Sequence, residues 1–518
     1  MMRLTKGMMG LGLLTLFAAS ASAFSLLGPL KDQNNPSFNA QGINDPWQGA
    51  PYGDKPGGIG YGIGGDIGGP MLPTEAYRWN VPIVTYAYDY TFLQYFGTNG
   101  VNAVEEAIAI LNALPPVSQM SATLSEFPLD TKAENQTAGS LGLLDLKSLA
   151  LSFLLEELGL ANPERFVWGL RGRIQIQNLV TNYSVIQMNY DPLTIEPSRY
   201  VNGVLYNYVI FDDLGVPSYA TAAEWYQLDP LYQPYSSVAG GLGSPDLQLG
   251  SSPDALFGLA GIGLLSGQYF RGLTRDDAGG LRFLLSPNNR VFETLLPTVL
   301  PSRGGGGGSP WSPVLGTNVF GTNVGGISNI IGTIGTNFPN FVRTALRPGV
   351  DKIQFQRVPL FGTNFSPITL RYTDRFYNPT NGRASKQTVE RLVFVPDIIF
   401  DVRDLGAPGQ FIPALAARTT ADDWTNNAAI NSFLGPAGLG GPGVVTPPVV
   451  ITFSDMVPRF VNLLAGGQDI DSAATRLLWG SFDGSDRPPI VYPAFPHPLA
   501  PQISLDYLRR VVLKRDNH

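Results

Sequence analysis

Cysteine is absent from this 518-residue chain, and histidine occurs only as His497 and His518. Without cysteine there are no disulfides, no thiolate nucleophiles and no cysteine-held metal or iron–sulfur centres. With so little histidine, imidazole chemistry is confined to the end of the sequence. Charge is scarce as well: 14% of residues are Asp, Glu, Lys or Arg, and the net charge is −7. No basic stripe is available to neutralise phosphates, so nucleic acid is not an expected partner. The GxSxG elbow, the P-loop and the dinucleotide fingerprint are missing. Past the N-terminus, no apolar run reaches the ~20 residues of a membrane span.

Apolar residues are plentiful. A hydrophobic fraction of 44% can build a core, and 60 Gly with 43 Pro point to many turns and a β-leaning fold. The N-terminus reads as an export leader. Arg3 and Lys6 are its basic start, Met8 to Ala19 its apolar run, and Ala21-Ser22-Ala23 a small-residue cleavage site before Phe24. The expectation is a signal peptide over 1–23 and a secreted protein, periplasmic or extracellular, with no membrane span in its mature form. With no cysteine after the cleavage site, a lipid anchor there is excluded.

Residues 24–76 carry the run Pro56-Gly57-Gly58-Ile59-Gly60 and read as an extended Gly/Pro-rich arm. Val81 to Tyr90 is rich in β-branched and aromatic residues and predicts a strand. A turn is expected at Phe96-Gly97-Thr98-Asn99. A helix should follow, carrying Val101, Val104, Ile108 and Leu111 on one face and ending at Pro115-Pro116. Glu105 and Glu106 are expected as solvated charges. Leu144 to Leu160 predicts a buried helix with an apolar face of Leu146, Leu149, Ala150, Phe153, Leu154 and Leu158, stopped at Gly159. Strand-like runs follow to Asp212, and Ala255 to Leu265 reads as helical. Thr274 with Asp277 has capping-box spacing, so Leu273 to Leu285 predicts a further helix. Gly304 to Gly308 mark a linker. The remaining sequence alternates in strand fashion, with Pro396 between two runs as an edge or bulge.

Three of these stretches, in order, resemble the matrixin branch of the metzincin zinc proteases. They are the strand Ile83 to Tyr88 with its long helix, the helix closing in Leu158-Gly159-Leu160, and Leu273 to Leu285 with its paired aspartates. The whole pattern, including TRDDAGGLRFLL and LLWGSFDGS, is also similar to a group of secreted bacterial proteins to which no activity is attached. The resemblance implies an α+β fold over 77–300, a matrixin-like mixed sheet with two or three helices. A linker at 301–313 and a β-rich, sandwich-like domain over 314–518 complete the expected organisation. The resemblance also puts Ser152 and Glu156 where zinc histidines would stand, and Phe153 where the general base would stand. A hydroxyl, a benzyl ring and one carboxylate do not make a zinc site of the HExxH kind.

Other chemistry has thinner support. His497 lies between Pro496 and Pro498 with no nucleophile elbow nearby. Asp469 with Asp471, and Asp483 with Asp486, are candidate calcium ligands, although aspartates in such Gly/Ser contexts more often shape turns. No other cofactor is expected. The leading expectation is a secreted, non-catalytic protein that binds other protein subunits or extracellular glycan. The alternative is an extracellular polysaccharide hydrolase working through paired carboxylates drawn from Asp212, Asp213, Glu390 and Asp397.

Overall fold

The computed structural model describes residues 23–27, 70–71, 73, 78–161, 163, 167, 169–176, 180–206, 210–212, 223–225, 258–259, 262–263, 266–302, 341–360, 367–377, 382–402, 415–418, 424–426, 443–445, 447–453 and 478–493. The fold is mixed α and β, with few helices and many strands. Among the described residues the α-helices are Tyr90–Ala113, Gln136–Ser140, Leu146–Glu157 and Arg275–Leu285.

The strand Ile83–Tyr88 is buried along almost its whole length. That suits its place inside a mainly parallel sheet, where both faces must be covered. Across this sheet the order is Gln354–Arg357, Ile83–Tyr88, Ile398–Val402, Val449–Phe453 and Leu415–Arg418. All pairs are parallel except the last, which closes one edge antiparallel. A second, antiparallel sheet joins Arg290–Thr294, Thr344–Pro348, Ile368–Tyr377, Ala384–Val393 and Val299–Pro301.

Both sheets draw strands from either side of residues 301–313. One apolar core runs from Phe24 to Tyr492. Among the described residues this core takes side chains from both 77–300 and 314–518. Pro396 sits where the chain leaves the antiparallel sheet after Val393 and enters the parallel sheet at Ile398, so it marks a change of sheet.

Asp89 caps the long helix, its carboxylate accepting the Thr91 N–H at 3.2 Å. The helix begins at Tyr90, earlier than its periodicity suggests, and the expected turn is a kink inside it. Gly97 stands there at φ 61° and ψ −160°, a conformation closed to residues with a side chain. Phe92 and Phe96 from the first segment pack with Tyr88, Phe400, Phe453, Trp479 and Tyr492. Each fully buried ring contributes roughly 1.5–3 kcal/mol. The central helix Leu146–Glu157 lies against the long helix, and its last turn is closed by the Trp79 indole N–H donating to the Glu157 carbonyl at 2.7 Å.

Three buried arginines fasten the sheets. Arg78 donates to Glu293 at 2.7 Å and to the carbonyls of Leu284, Asn289 and Arg347. Arg347 grips Asp374 with two nitrogens, at 2.9 and 3.0 Å. Arg391, on the antiparallel sheet, grips Asp397, which also accepts the N–H and hydroxyl of Thr85 on the parallel sheet. Each buried guanidinium is thus paired with a carboxylate, although Glu293 Oε2 and Arg391 Nε are left without a hydrogen-bond partner.

The described ends of the N-terminal arm are extended strands docked on the fold. Phe24–Leu27 is a buried strand at the centre of a small sheet, flanked by Pro70–Met71, Leu160–Ala161 and Asn189–Tyr190. Its alternation of Phe24 and Leu26 toward the core is only four residues long, too short to stand out in a glycine-rich sequence. Between its ends, most of 28–77 lies outside the described residues. Ala255 to Leu265 contains two short paired strands, Gly258–Leu259 and Ile262–Gly263, in place of a helix.

Candidate functional site

The strands Ile83–Tyr88 and Gln354–Arg357 run parallel, and a cavity of about 390 Å³ opens where both end. Ligand sites in open parallel sheets form at the carboxyl ends of strands, and this volume lies within the range of small-ligand pockets. Ala87, Tyr88, Leu93, Arg357, Val358 and Leu360 are among the residues lining it.

Alternation along the strand turns Tyr86 and Tyr88 to one face, over the long helix. There both hydroxyls donate to Glu105, at 2.5 and 3.0 Å. Arg357 approaches the same carboxylate at 3.4 Å and lays its guanidinium 4.9 Å from the Tyr88 ring centre. Burial, reinforced by the neighbouring Glu105 carboxylate, raises both tyrosine hydroxyls well above their ordinary range, so they stay protonated donors. Glu105 thus accepts from two phenols and a guanidinium. Arg357 keeps about half its side chain exposed, at 53%. The cavity therefore offers one cation, an aromatic ring and aliphatic walls. That set suits recognition of an anionic or carbonyl-bearing group beside an apolar one. Of the two glutamates expected to be solvated, Glu106 is exposed and Glu105 is not. Its partners come from a strand 17 to 19 residues earlier and from a residue 252 later, a juxtaposition no local pattern announces.

The positions corresponding to a zinc helix lie elsewhere. Ser152 is 2% exposed and Phe153 3% exposed, and the Phe153 ring meets Phe453 edge-to-face at 5.7 Å. Glu156 is half-buried on the same helix. Among the candidate calcium ligands, Asp483 accepts the Ser485 N–H at 2.9 Å and that residue's hydroxyl, which makes it an exposed turn former. Asp486 is exposed three residues on, and Asp469 and Asp471 lie outside the described residues. No group of three or more His, Asp or Glu with metal-binding geometry occurs among the described residues.

Of the carboxylates considered for hydrolysis, Asp397 is fully buried and held by Arg391 and Thr85. Glu390 accepts the Ser302 hydroxyl at 2.9 Å and stands 3.5 Å from Arg371. Asp212 ends the strand Ile210–Asp212, with its side chain outside the described set, as is all of Asp213. His497 and His518 also lie outside it.

The capping box at Thr274 forms as its spacing predicts, with Asp277 accepting the Thr274 N–H at 2.8 Å and its hydroxyl at 2.6 Å. Asp276 turns the other way and accepts the Ala23 N–H at 2.8 Å and the Asn202 N–H at 2.6 Å. Among the described residues no helix is long and apolar enough to cross a membrane. Comparison with protein-family models, curated proteins and solved structures found no match to this chain.

Proposed function

We propose that this chain is an exported, non-catalytic protein of the bacterial envelope or exterior that binds other protein subunits or extracellular glycan. In this reading it uses a matrixin-like α+β scaffold that has lost its zinc ligands. The observation that carries the reading is the packing of Ser152 and Phe153. Two of the three residues standing in the zinc-helix positions, Ser152 and Phe153, are core, with Phe153 against Phe453, so that helix contributes apolar burial. The order of strand, long helix, Leu-Gly-Leu helix and Asp-Asp helix supports the matrixin-like part. The five-stranded antiparallel sheet supports a sandwich-like layer, built from both halves of the chain. The cavity beside Arg357 and Tyr88 supports recognition chemistry at the end of the parallel sheet.

The test uses protein purified after export. Zinc is quantified by mass spectrometry, hydrolysis is assayed on peptide and polysaccharide libraries, and co-sedimentation is measured with isolated peptidoglycan and outer envelope fractions. Substoichiometric zinc, no turnover and saturable pelleting are expected. Stoichiometric zinc with peptide cleavage, or glycan hydrolysis, would sink the reading.

A further inference from the structure

We propose that leader removal creates a structural element: the new α-ammonium of Phe24 docks on the buried carboxylate of Asp276 and locks the N-terminal strand into the core. The inference rests on the export reading of residues 1–23 and goes beyond it in assigning a receptor for the cleaved end.

Three observations meet at this point. The small-residue cleavage motif ends at Ala23, the residue whose N–H lies 2.8 Å from Asp276 Oδ1. Asp276 is 1% exposed, and its other oxygen accepts the Asn202 N–H, so both of its hydrogen bonds come from neutral amides. Phe24 is fixed independently of that contact. Its ring stacks on Phe283 at 5.3 Å, and its backbone is in register with Tyr190. Gly280 completes the seat, since a Cβ there would stand 3.2 Å from Phe24 Cβ and 2.6 Å from Leu160 Cδ2. Glycine inside a helix costs roughly 1 kcal/mol relative to alanine, which is consistent with a helix shaped to receive this strand.

An ionised carboxylate whose hydrogen bonds come from neutral amides in a dry site is costly, Arg275 nearby offsets only part of that cost, and an ammonium in direct contact removes more of it. Hydrolysis of the Ala23–Phe24 amide supplies the cation. Water adds across the bond, Ala23 departs as the carboxylate end of the leader, and the Phe24 nitrogen is left as an ammonium at neutral pH. It is the next backbone nitrogen after the present donor. The stacked ring and the strand ladder hold Phe24, and loss of Ala23 frees its nitrogen to turn toward the Asp276 carboxylate. Asp277, the other buried acid at this helix start, holds the Thr274 N–H and hydroxyl through Oδ2.

The test begins with the full chain expressed with its leader, exported and purified. Intact mass and N-terminal sequencing should show a chain beginning at Phe24. A chain beginning at Met1 would overturn the export reading, and with it this inference; a start elsewhere would overturn the inference alone. The second measurement is the α-amine pKa of the wild-type protein, from pH-dependent labelling. Docking predicts a value above the usual range of about 7.7–8.0, and a value at or below that range refutes it. The third is a cycle of urea unfolding constants for wild type, Asp276→Asn, a chain with Gly-Ser inserted after the cleavage site, and the two changes combined. At least tenfold coupling between insertion and Asp276→Asn is expected. A purely structural aspartate would give independent effects, and that outcome also refutes the proposal. If Asp276→Asn fails to fold, the α-amine pKa of the wild type decides.

Discussion

Truncating Phe153 to alanine separates a packed helix from a remnant cleft. The ring is 3% exposed and meets Phe453, itself fully buried, at 5.7 Å. Removing it from a core deletes its burial and leaves a cavity, a change that typically costs about 3–5 kcal/mol. Loss of the edge-to-face contact, worth about 0.5–1.5 kcal/mol, is included in that figure. With a urea dependence of about 3 kcal/mol per molar, the unfolding midpoint of Phe153→Ala should fall by about 1–1.7 M. The control is Glu156→Ala, one turn along the same helix and half-buried, for which about 1 kcal/mol or less is expected. Circular dichroism and tryptophan fluorescence, followed together, would report whether the loss is global. A Phe153→Ala penalty no larger than that of Glu156→Ala would mean that the ring lines an open surface. The proposal that this helix serves packing would then fail.

Introducing imidazoles with Ser152→His and Glu156→His should not create a zinc site, because position 152 has no room. Overpacking should lower stability by about 1–3 kcal/mol, and one bound zinc per chain by elemental analysis would contradict this. Burial pushes the Asp145 carboxyl from 3.8 up to about 6, against the lowering effect of Ser148. A raised folded pKa means stability is fully present below the unfolded value and lost as pH rises through 6. At about 1.4 kcal/mol per unit, Asp145→Asn should therefore gain roughly 3 kcal/mol relative to wild type between pH 3.5 and 7.5. Urea midpoints at the two pH values check it, and parallel pH curves for the two proteins would refute it. Arg391→Met leaves Asp397 buried with no cation and should cost about 3–5 kcal/mol, measured by thermal or urea unfolding. Arg357→Ala, at a half-exposed ion pair, should cost about 1 kcal/mol or less while weakening any ligand of the cavity, as titration calorimetry would show.

Where local chemistry determines structure, the sequence is readable. Thr274 with Asp277 announces a capping box, Gly159 a helix stop, and Val81 to Tyr90 a strand, and each forms. Gly97 announces a break, although the break falls inside a helix, because Phe92 and Phe96 gain enough core contact to extend helical structure back to Tyr90. What stayed hidden is the pairing. Ile83–Tyr88 lies between Gln354–Arg357 and Ile398–Val402, partners well over 200 residues away, and parallel pairing leaves no turn signature to betray it. The candidate cavity was hidden for the same reason, since Tyr88, Glu105 and Arg357 meet only after that sheet closes.

The scarcity of charge takes on meaning in this light. In a chain with 34 Lys and Arg, three arginines, Arg78, Arg347 and Arg391, are each at most 2% exposed, and all sit where separate stretches of chain converge. A guanidinium presents a rigid fork of donors that matches a carboxylate or several carbonyls in one orientation only. Arg391 holds Asp397 from the antiparallel sheet, and Asp397 holds Thr85 on the parallel one. A slip of either strand would leave a buried charge unpaired, which is far more costly than a slip among aliphatic side chains. Asp397, which appears on a sequence scan as a candidate catalytic acid, is thus explained as one of the means by which an apolar, glycine-rich chain specifies one register among many.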